Sequence, residues 1–437
     1  MVAVLRSKVL LVVGALVSGA LLVGTSGSAV AEPATVVAYP GGASSTRYNG
    51  WAFDTCTAPT VAQMSAWKAS PYRAVGIYIG GGNRSCKQPQ LTAGWVSTVT
   101  KMGWRLIPIY LGWQAPCTHR TTALKMSGST ATAASQARGS AADAVTKARA
   151  LGLIGGSAIY GDMEHYDLGN SSCRAAVLSY LSAWTKELHR HGYLSAVYAH
   201  QDSGARHLAE VYNSTAYARP DALWIARWDK KTGLFNWPTV NNAYWASGQR
   251  AKQYWGDHNE TYGGVTLNID SDRFDAPVGS VGFAYSATTR LSARSGPSTS
   301  YPVVATYAAG ASLRVVCQTY GPKVGTTTVW NKLTSGAYVT DYYVSTPSNT
   351  TYSYPVPGCS QAYQTTTSLT KRSGPGTSYS AKGTLPSGSL AWITCQRSGS
   401  KVGTTAVWNR LTDGTYVTDY YVATASNTTF TAAVRRC

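Results

Sequence analysis

Ser157-Ala-Ile-Tyr-Gly-Asp-Met-Glu164 is a short apolar run ending in two acids; a helical pattern over 174–191 follows it, then a second apolar run, Tyr193-Leu-Ser-Ala-Val-Tyr198. Strand, helix, strand in that order is a β-α-β unit, whose long connection suits parallel pairing. Working outward, the alternation continues. Upstream, candidate strands 50–54, 74–79 and 105–110 alternate with helical patterns 60–68, 92–102 and 132–150. Downstream, strands 222–228, 253–254 and 265–270 follow a helix at 203–212. Eight strands suit a closed barrel. The last three have no convincing helices between them, so the expectation is an irregular TIM-type β/α barrel over 47–277.

Beyond the barrel the chain repeats itself. A shift of 78 residues lays Arg294-Ser-Gly-Pro-Ser-Thr-Ser-Tyr301 on Arg372-Ser-Gly-Pro-Gly-Thr-Ser-Tyr379, and Lys323-Val-Gly-Thr-Thr-Thr-Val-Trp330 on Lys401-Val-Gly-Thr-Thr-Ala-Val-Trp408. Thr340-Asp-Tyr-Tyr-Val344 falls likewise on Thr418-Asp-Tyr-Tyr-Val422. Short Val, Thr and Tyr runs between Gly, Pro and Ser clusters predict small all-β modules over 278–360 and 361–437. These motifs resemble bacterial SH3-like domains, which implies targeting to peptidoglycan. Tyr342, Tyr343, Tyr420 and Tyr421 are equally suited to stacking on a ligand and to core packing.

At the other end, Arg6 and Lys8 precede an apolar run over 9–23, and Ala29-Val30-Ala31 fits a cleavage site, so residues 1–31 read as an export signal and 32–46 as a linker. The mature protein is expected outside the cell or on its wall, with no membrane segment. Eight cysteines and no C-x-x-C pair argue for disulfides in an oxidising compartment. Cys317 and Cys359, like Cys395 and Cys437, lie 42 positions apart and pair economically within each module. Such a bridge stabilises a module by about 3–4 kcal/mol on the chain-entropy model. Cys56 and Cys86 follow adjacent strands and should pair, as should Cys117 and Cys173.

The chain carries a net charge of +19, and residues 276–437 hold thirteen Lys or Arg against three Asp. A basic tail on an exported protein suggests an anionic wall polymer as partner. Scattered charges without a binding motif argue against nucleic acid. No metal-ligand spacing or phosphate loop appears, so no cofactor is expected; a monomer is.

Barrel chemistry sits at the C-terminal ends of strands. Reading those ends yields Asp54, Asp162, Glu164, Asp270 and Asp272. Strand alternation puts Asp162 and Glu164 on one face, with Cα atoms about 6.5–7 Å apart. Two acids in a walled cleft disfavour double ionisation, so Glu164 is expected to hold a proton as general acid while Asp162 stays ionised. Trp113, Trp228, Trp245 and Tyr254 are candidate sugar-stacking rings, with Gln253 beside the last.

Asp54-Thr-Cys56, Asp162-Met-Glu164, Gln253-Tyr254 and Asn268-Ile-Asp-Ser-Asp-Arg-Phe274 resemble, in order and strand position, glycoside hydrolase family 25 lysozymes. The resemblance is closer to the glycoside-hydrolase-like family formerly called domain of unknown function 1906, through Phe53-Asp-Thr-Cys-Thr-Ala-Pro59, Gly76-Ile-Tyr-Ile-Gly-Gly81, Ile109-Tyr-Leu-Gly-Trp-Gln-Ala-Pro-Cys117, Tyr160-Gly-Asp-Met-Glu164 and His258-Asn-Glu-Thr-Tyr-Gly-Gly264. It implies hydrolysis of a β-linked 2-acetamido glycan with Glu164, Asp162, Asp54 and Asp270 in the catalytic group. Asp272 departs from the Asn usual in the lysozymes. The competing expectation is a noncatalytic wall-binding scaffold that keeps the acids for hydrogen bonding.

Overall fold

The structure is a computed structural model that describes residues 46–359, 361–431 and 434–437. The expected export signal, and the linker up to residue 45, lie outside the described residues. Eight strands close into a barrel in chain order: β1 (Thr46–Asp54), β2 (Ala74–Gly80), β3 (Arg105–Tyr110), β4 (Ala158–Met163), β5 (Leu194–His200), β6 (Ala222–Ala226), β7 (Arg250–Tyr262) and β8 (Val265–Val278). The helices are α1 (Val61–Ala66), α2 (Ala93–Lys101), α3 (Thr130–Ala150), α4 (Ser171–Arg190) and α5 (Arg206–Glu210). Among the described residues no helix is long and apolar enough to cross a membrane.

Helix starts follow their caps. Ser129 and Asn170 accept hydrogen bonds from the backbones of Thr132 and Cys173, which starts α3 and α4 two and three residues ahead of their apolar periodicity. Alternation along the strands sorts the core into two layers. Ala52, Ile107, Ile109, Tyr160, Leu194, Trp224 and Phe274 fill the barrel. Phe53, Val75, Leu106, Ile159, Val197 and Leu223 face outward under the helices.

The barrel departs from all-parallel pairing in one place. β1 to β7 pair in parallel, but β8 runs antiparallel to both β7 and β1. Gly263 and Gly264 alone join β7 to β8, both at positive φ (58° and 76°), the geometry of a tight hairpin turn. A two-residue turn leaves no room for a crossover, so the last strand must return.

Each repeat forms a curled, all-antiparallel half-barrel. The first contains β9 (Phe283–Ser286), β10 (Leu291–Arg294), β11 (Val303–Tyr307), β12 (Ser312–Val324), β13 (Thr327–Leu333) and β14 (Tyr338–Thr340); the second contains β15 (Gln361–Gln364), β16 (Leu369–Arg372), β17 (Ala381–Leu385), β18 (Leu390–Val402), β19 (Thr405–Leu411) and β20 (Tyr416–Thr418), in the same spatial order. Inside each lies one polar knot. Asp341 accepts from Asn331 and Gln318 at 2.6 and 3.2 Å, and Asp419 from Asn409 and Gln396 at 2.7 and 3.1 Å. Tyr342 and Tyr420 lie against the hairpin turns at Gly325 and Gly403, whereas Tyr421 is exposed. Disulfides join Cys56–Cys86, Cys117–Cys173, Cys317–Cys359 and Cys395–Cys437.

The second repeat also closes the barrel floor. Its Ala362, Leu390 and Trp392 share a buried cluster with the barrel-filling residues. Arg219, just before β6, donates to the Ser387 carbonyl at 2.8 Å, and the Leu390 amide donates to Gln249 Oε1 at 3.3 Å. The strands' C-terminal ends are left facing outward at the opposite mouth.

Candidate active site

The inward parity that fills the barrel also builds its mouth. Two residues beyond Ala52 comes Asp54; beyond Tyr160, Asp162 and then Glu164; beyond Ala251, Gln253; and on the returning strand Asp272 and Asp270 precede Phe274. On β2, a Cβ at Gly76 would collide with the Asp54 Cβ, so this glycine makes room for the acid. Six of the nineteen acids, including Asp257 from the β7 bulge, thus gather at one mouth of a strongly basic chain.

Gln253 links them. Its amide nitrogen donates to Asp54 Oδ2 (2.8 Å) and Asp270 Oδ2 (3.1 Å), and its oxygen accepts from the Tyr198 hydroxyl (2.9 Å) and the Trp228 indole (2.8 Å). The Asp257 amide donates to Asp270 Oδ1. Asp257 holds φ at 44° to do so, a strained left-handed conformation for a residue with a side chain. Gln114 fixes the backbone of the Asp-x-Glu segment, accepting from the Glu164 amide at 2.9 Å and donating to the Asp162 carbonyl at 2.8 Å.

Burial decides the electrostatics. It pushes the carboxyls of Asp54, Asp162 and Asp272 well above the usual range; Asp270 adds to the effect on Asp54, Glu164 and then Asp54 to that on Asp162, and Asp54 and then Asp270 to that on Asp272. Burial also raises Asp270, while the Asp257 amide pulls it back. Asp272 Oδ1 accepts from the Trp224 indole at 3.0 Å, but its buried Oδ2 finds no donor. An oxygen buried without a donor disfavours the ionised form, in line with the raised carboxyl of Asp272. Asp162 Oδ1 is likewise buried without a donor.

Glu164 differs from its neighbours. It lines an open cleft of about 260 Å³ with Asp54, Tyr78, Asp270 and the Cys56–Cys86 bridge. Arg120 pairs with it at 2.7 Å. Asp162, by contrast, is 5% exposed, and its burial works against the ionised form expected of it.

The aromatic candidates separate. Trp228 is 60% exposed at the β6 end and hydrogen-bonded into the acid network. Trp245 is fully buried, with its indole donating to the Pro220 carbonyl at 2.8 Å and Tyr212 against its ring, so it has no face for a sugar. Trp113 is half-buried against the outer core. Tyr254 alternates away from Gln253 and meets the edge of Trp51. Tyr78, Tyr198, Gln114, Arg120 and Asp257 complete the site without having been picked out of the sequence. Parity would have found Tyr78 and Tyr198, which follow inward Gly76 and Ala196; Arg120 and Asp257 arrive from irregular segments that carry no such signal.

Residues 65–274 match the family model described as Rv2525c-like, glycoside hydrolase-like domain. No curated protein matches the chain. Among solved structures, the chain is similar to the Mycobacterium tuberculosis Tat-secreted protein Rv2525c (16% identity, 52% of this chain and 96% of that one, TM-score 0.37). It is also similar to a muramidase from Acremonium alcalophilum (19% identity, 51% and 92%, TM-score 0.31) and to the Clostridium perfringens spore cortex lytic enzyme SleM (11% identity, 84% and 95%, TM-score 0.38).

Proposed function

We propose that the chain is a secreted glycoside hydrolase of the cell wall, with a TIM-type barrel cleaving a β-linked 2-acetamido glycan and two SH3-like repeats holding it to the polymer. The observation that carries this reading is the pairing of Glu164, which lines an open cleft, with Asp162, whose burial favours a bound proton. The match of residues 65–274 to a glycoside hydrolase-like model supports it.

Burial favours a proton on Asp162, and Arg120 holds Glu164. Arg120 is more than half exposed, and so exposed an ion pair is worth no more than about 1 kcal/mol, so an entering glycan displaces it. Glu164 then takes the proton and delivers it to the leaving oxygen as the glycosidic C–O bond breaks. The substrate's acetamido oxygen attacks the anomeric carbon, the Asp162 carboxylate left behind steadies the cyclic cation, and water opens it. Asp54 and Asp270, held by Gln253, bind sugar hydroxyls, and Trp228 offers its exposed face to a ring.

The Arg120–Glu164 pair also favours the second reading, a binding scaffold whose acids only hold hydroxyls. Incubating the mature protein and Glu164→Gln with purified bacterial cell wall separates the two. The enzyme reading expects reducing ends from the wild type and a loss of roughly a hundredfold or more in the variant, with equal sedimentation of both. Sedimentation without reducing ends from either protein leaves the scaffold.

A further inference from the structure

The two repeats differ where they meet other parts of the chain, and one set of differences frames a cavity of about 550 Å³ at their junction. The first repeat contributes Tyr301, Tyr320 and Pro322; the second contributes Phe430, Arg435 and Arg436 from its C-terminal segment. At the positions equivalent to Arg435 and Arg436 the first repeat has Pro357 and Gly358, and Pro357 lines a small crevice with Trp104 and Arg105 of the barrel. Tyr320 is Ser398 in the second repeat. Neither the dibasic pair nor the exposed tyrosine is therefore required by the shared fold.

Among the described residues no acidic side chain forms an ion pair with Arg435 or Arg436. The tail has three acids: Asp341 and Asp419 are buried in their polar knots, and Asp413 pairs with Lys371 at 3.0 Å. Arg436 lies over the Phe430 ring, and Tyr320 stacks on Tyr352 with centroids 4.6 Å apart. Rings held in this way present fixed apolar faces, and a guanidinium resting on a ring keeps its donors free.

We propose that this inter-repeat cavity binds the free carboxylate end of a short peptide, with Arg435 and Arg436 taking the carboxylate and Tyr301, Tyr320 and Pro322 lying along the neutral chain. The charged residues of its lining are two consecutive arginines, and the rest of the lining is aromatic, proline, serine and glycine. A polyphosphate backbone would need cations spaced along its length, whereas one terminal carboxylate needs a single fork of guanidinium donors. The inference deepens the reading of the repeats as wall-binding and is independent of catalysis in the barrel.

The test titrates the intact mature protein by calorimetry with N-acetyl-Ala-Ala-Ala, with the same tripeptide as its C-terminal amide, and with an oligo(glycerol phosphate). Expected are binding of the free acid, loss of about tenfold or more with the amide, and a similar loss for the Arg435→Gln/Arg436→Gln double variant. Tyr320→Ser installs the residue the other repeat tolerates, so it keeps the fold, shown by an unchanged near-UV spectrum, and weakens binding several-fold. Equal affinity for acid and amide, unchanged affinity in the double variant, or tighter Arg-dependent binding of the phosphate oligomer overturns the proposal. If the free acid binds through the arginines while intact protein fails to sediment with cell wall, the wall-binding reading falls and the carboxylate site stands.

Discussion

Gln253 satisfies two carboxylates, a hydroxyl and an indole with one amide group. An amide is the side chain that suits this position, because it offers two donors and a two-lone-pair acceptor without adding charge to a crowded acidic mouth. Gln253→Leu keeps the bulk and strands four polar groups, each costing about 1–3 kcal/mol when fully buried. Since Trp228 and Asp270 can turn to water, the expected loss is on the order of 2–4 kcal/mol, read as a lower urea midpoint for the barrel at unchanged slope. The acids at this site were legible because a strand-end carboxylate stands out in an apolar run. Gln114 and Arg120 were not, since an amide or a guanidinium in a loop shows its target only once the loop is folded.

Among the elements, the β7–β8 hairpin and the polar knots of the repeats carry the most information. β3 falls at the span its apolar run predicts, whereas β7 runs over Arg250–Tyr262 around a predicted core of two residues. Its outer half alternates with β8 as a two-stranded ribbon beyond the barrel, where partner pairing rather than apolar content makes the strand. In the second repeat, burial raises Asp419 from 3.8 to about 6 against the pull of its hydrogen bonds. Because the folded value lies above the unfolded one, the folded state binds the proton more tightly, so the contribution of Asp419 to stability is fully present below about pH 4 and is lost as pH rises through 6. Calorimetric scans should therefore show the second repeat melting higher at pH 4.5 than at pH 7.5, and Asp419→Asn should flatten that difference. A second repeat more stable at pH 7.5, with the variant unchanged, would contradict the burial argument.

Across the whole molecule, two repeats of nearly one sequence do different work. Ala362, Leu390 and Trp392 of the second repeat seal the barrel floor, and the matching residues of the first are Ala284, Ser312 and Arg314, all exposed. Trp392→Arg, which copies the first repeat, places a charge in a closed apolar cluster. It should destabilise the protein by about 3 kcal/mol or more, with the barrel and the second repeat losing near-UV signal together on heating; Arg314→Trp in the first repeat should change the melting temperature little. By itself the sequence determined the β-α alternation, the acids at the strand ends, the duplicated β modules and a cysteine spacing consistent with the four bridges, because each is a local pattern of period, parity or repeat. Only the tertiary structure decided that the last strand returns antiparallel, that Trp245 is buried and Trp228 open, that Arg120 meets Glu164, and that one repeat closes the barrel while both enclose a basic cavity. Those outcomes depend on which surfaces meet across tens to hundreds of residues, and burial and charge pairing at such contacts leave no local pattern in the chain.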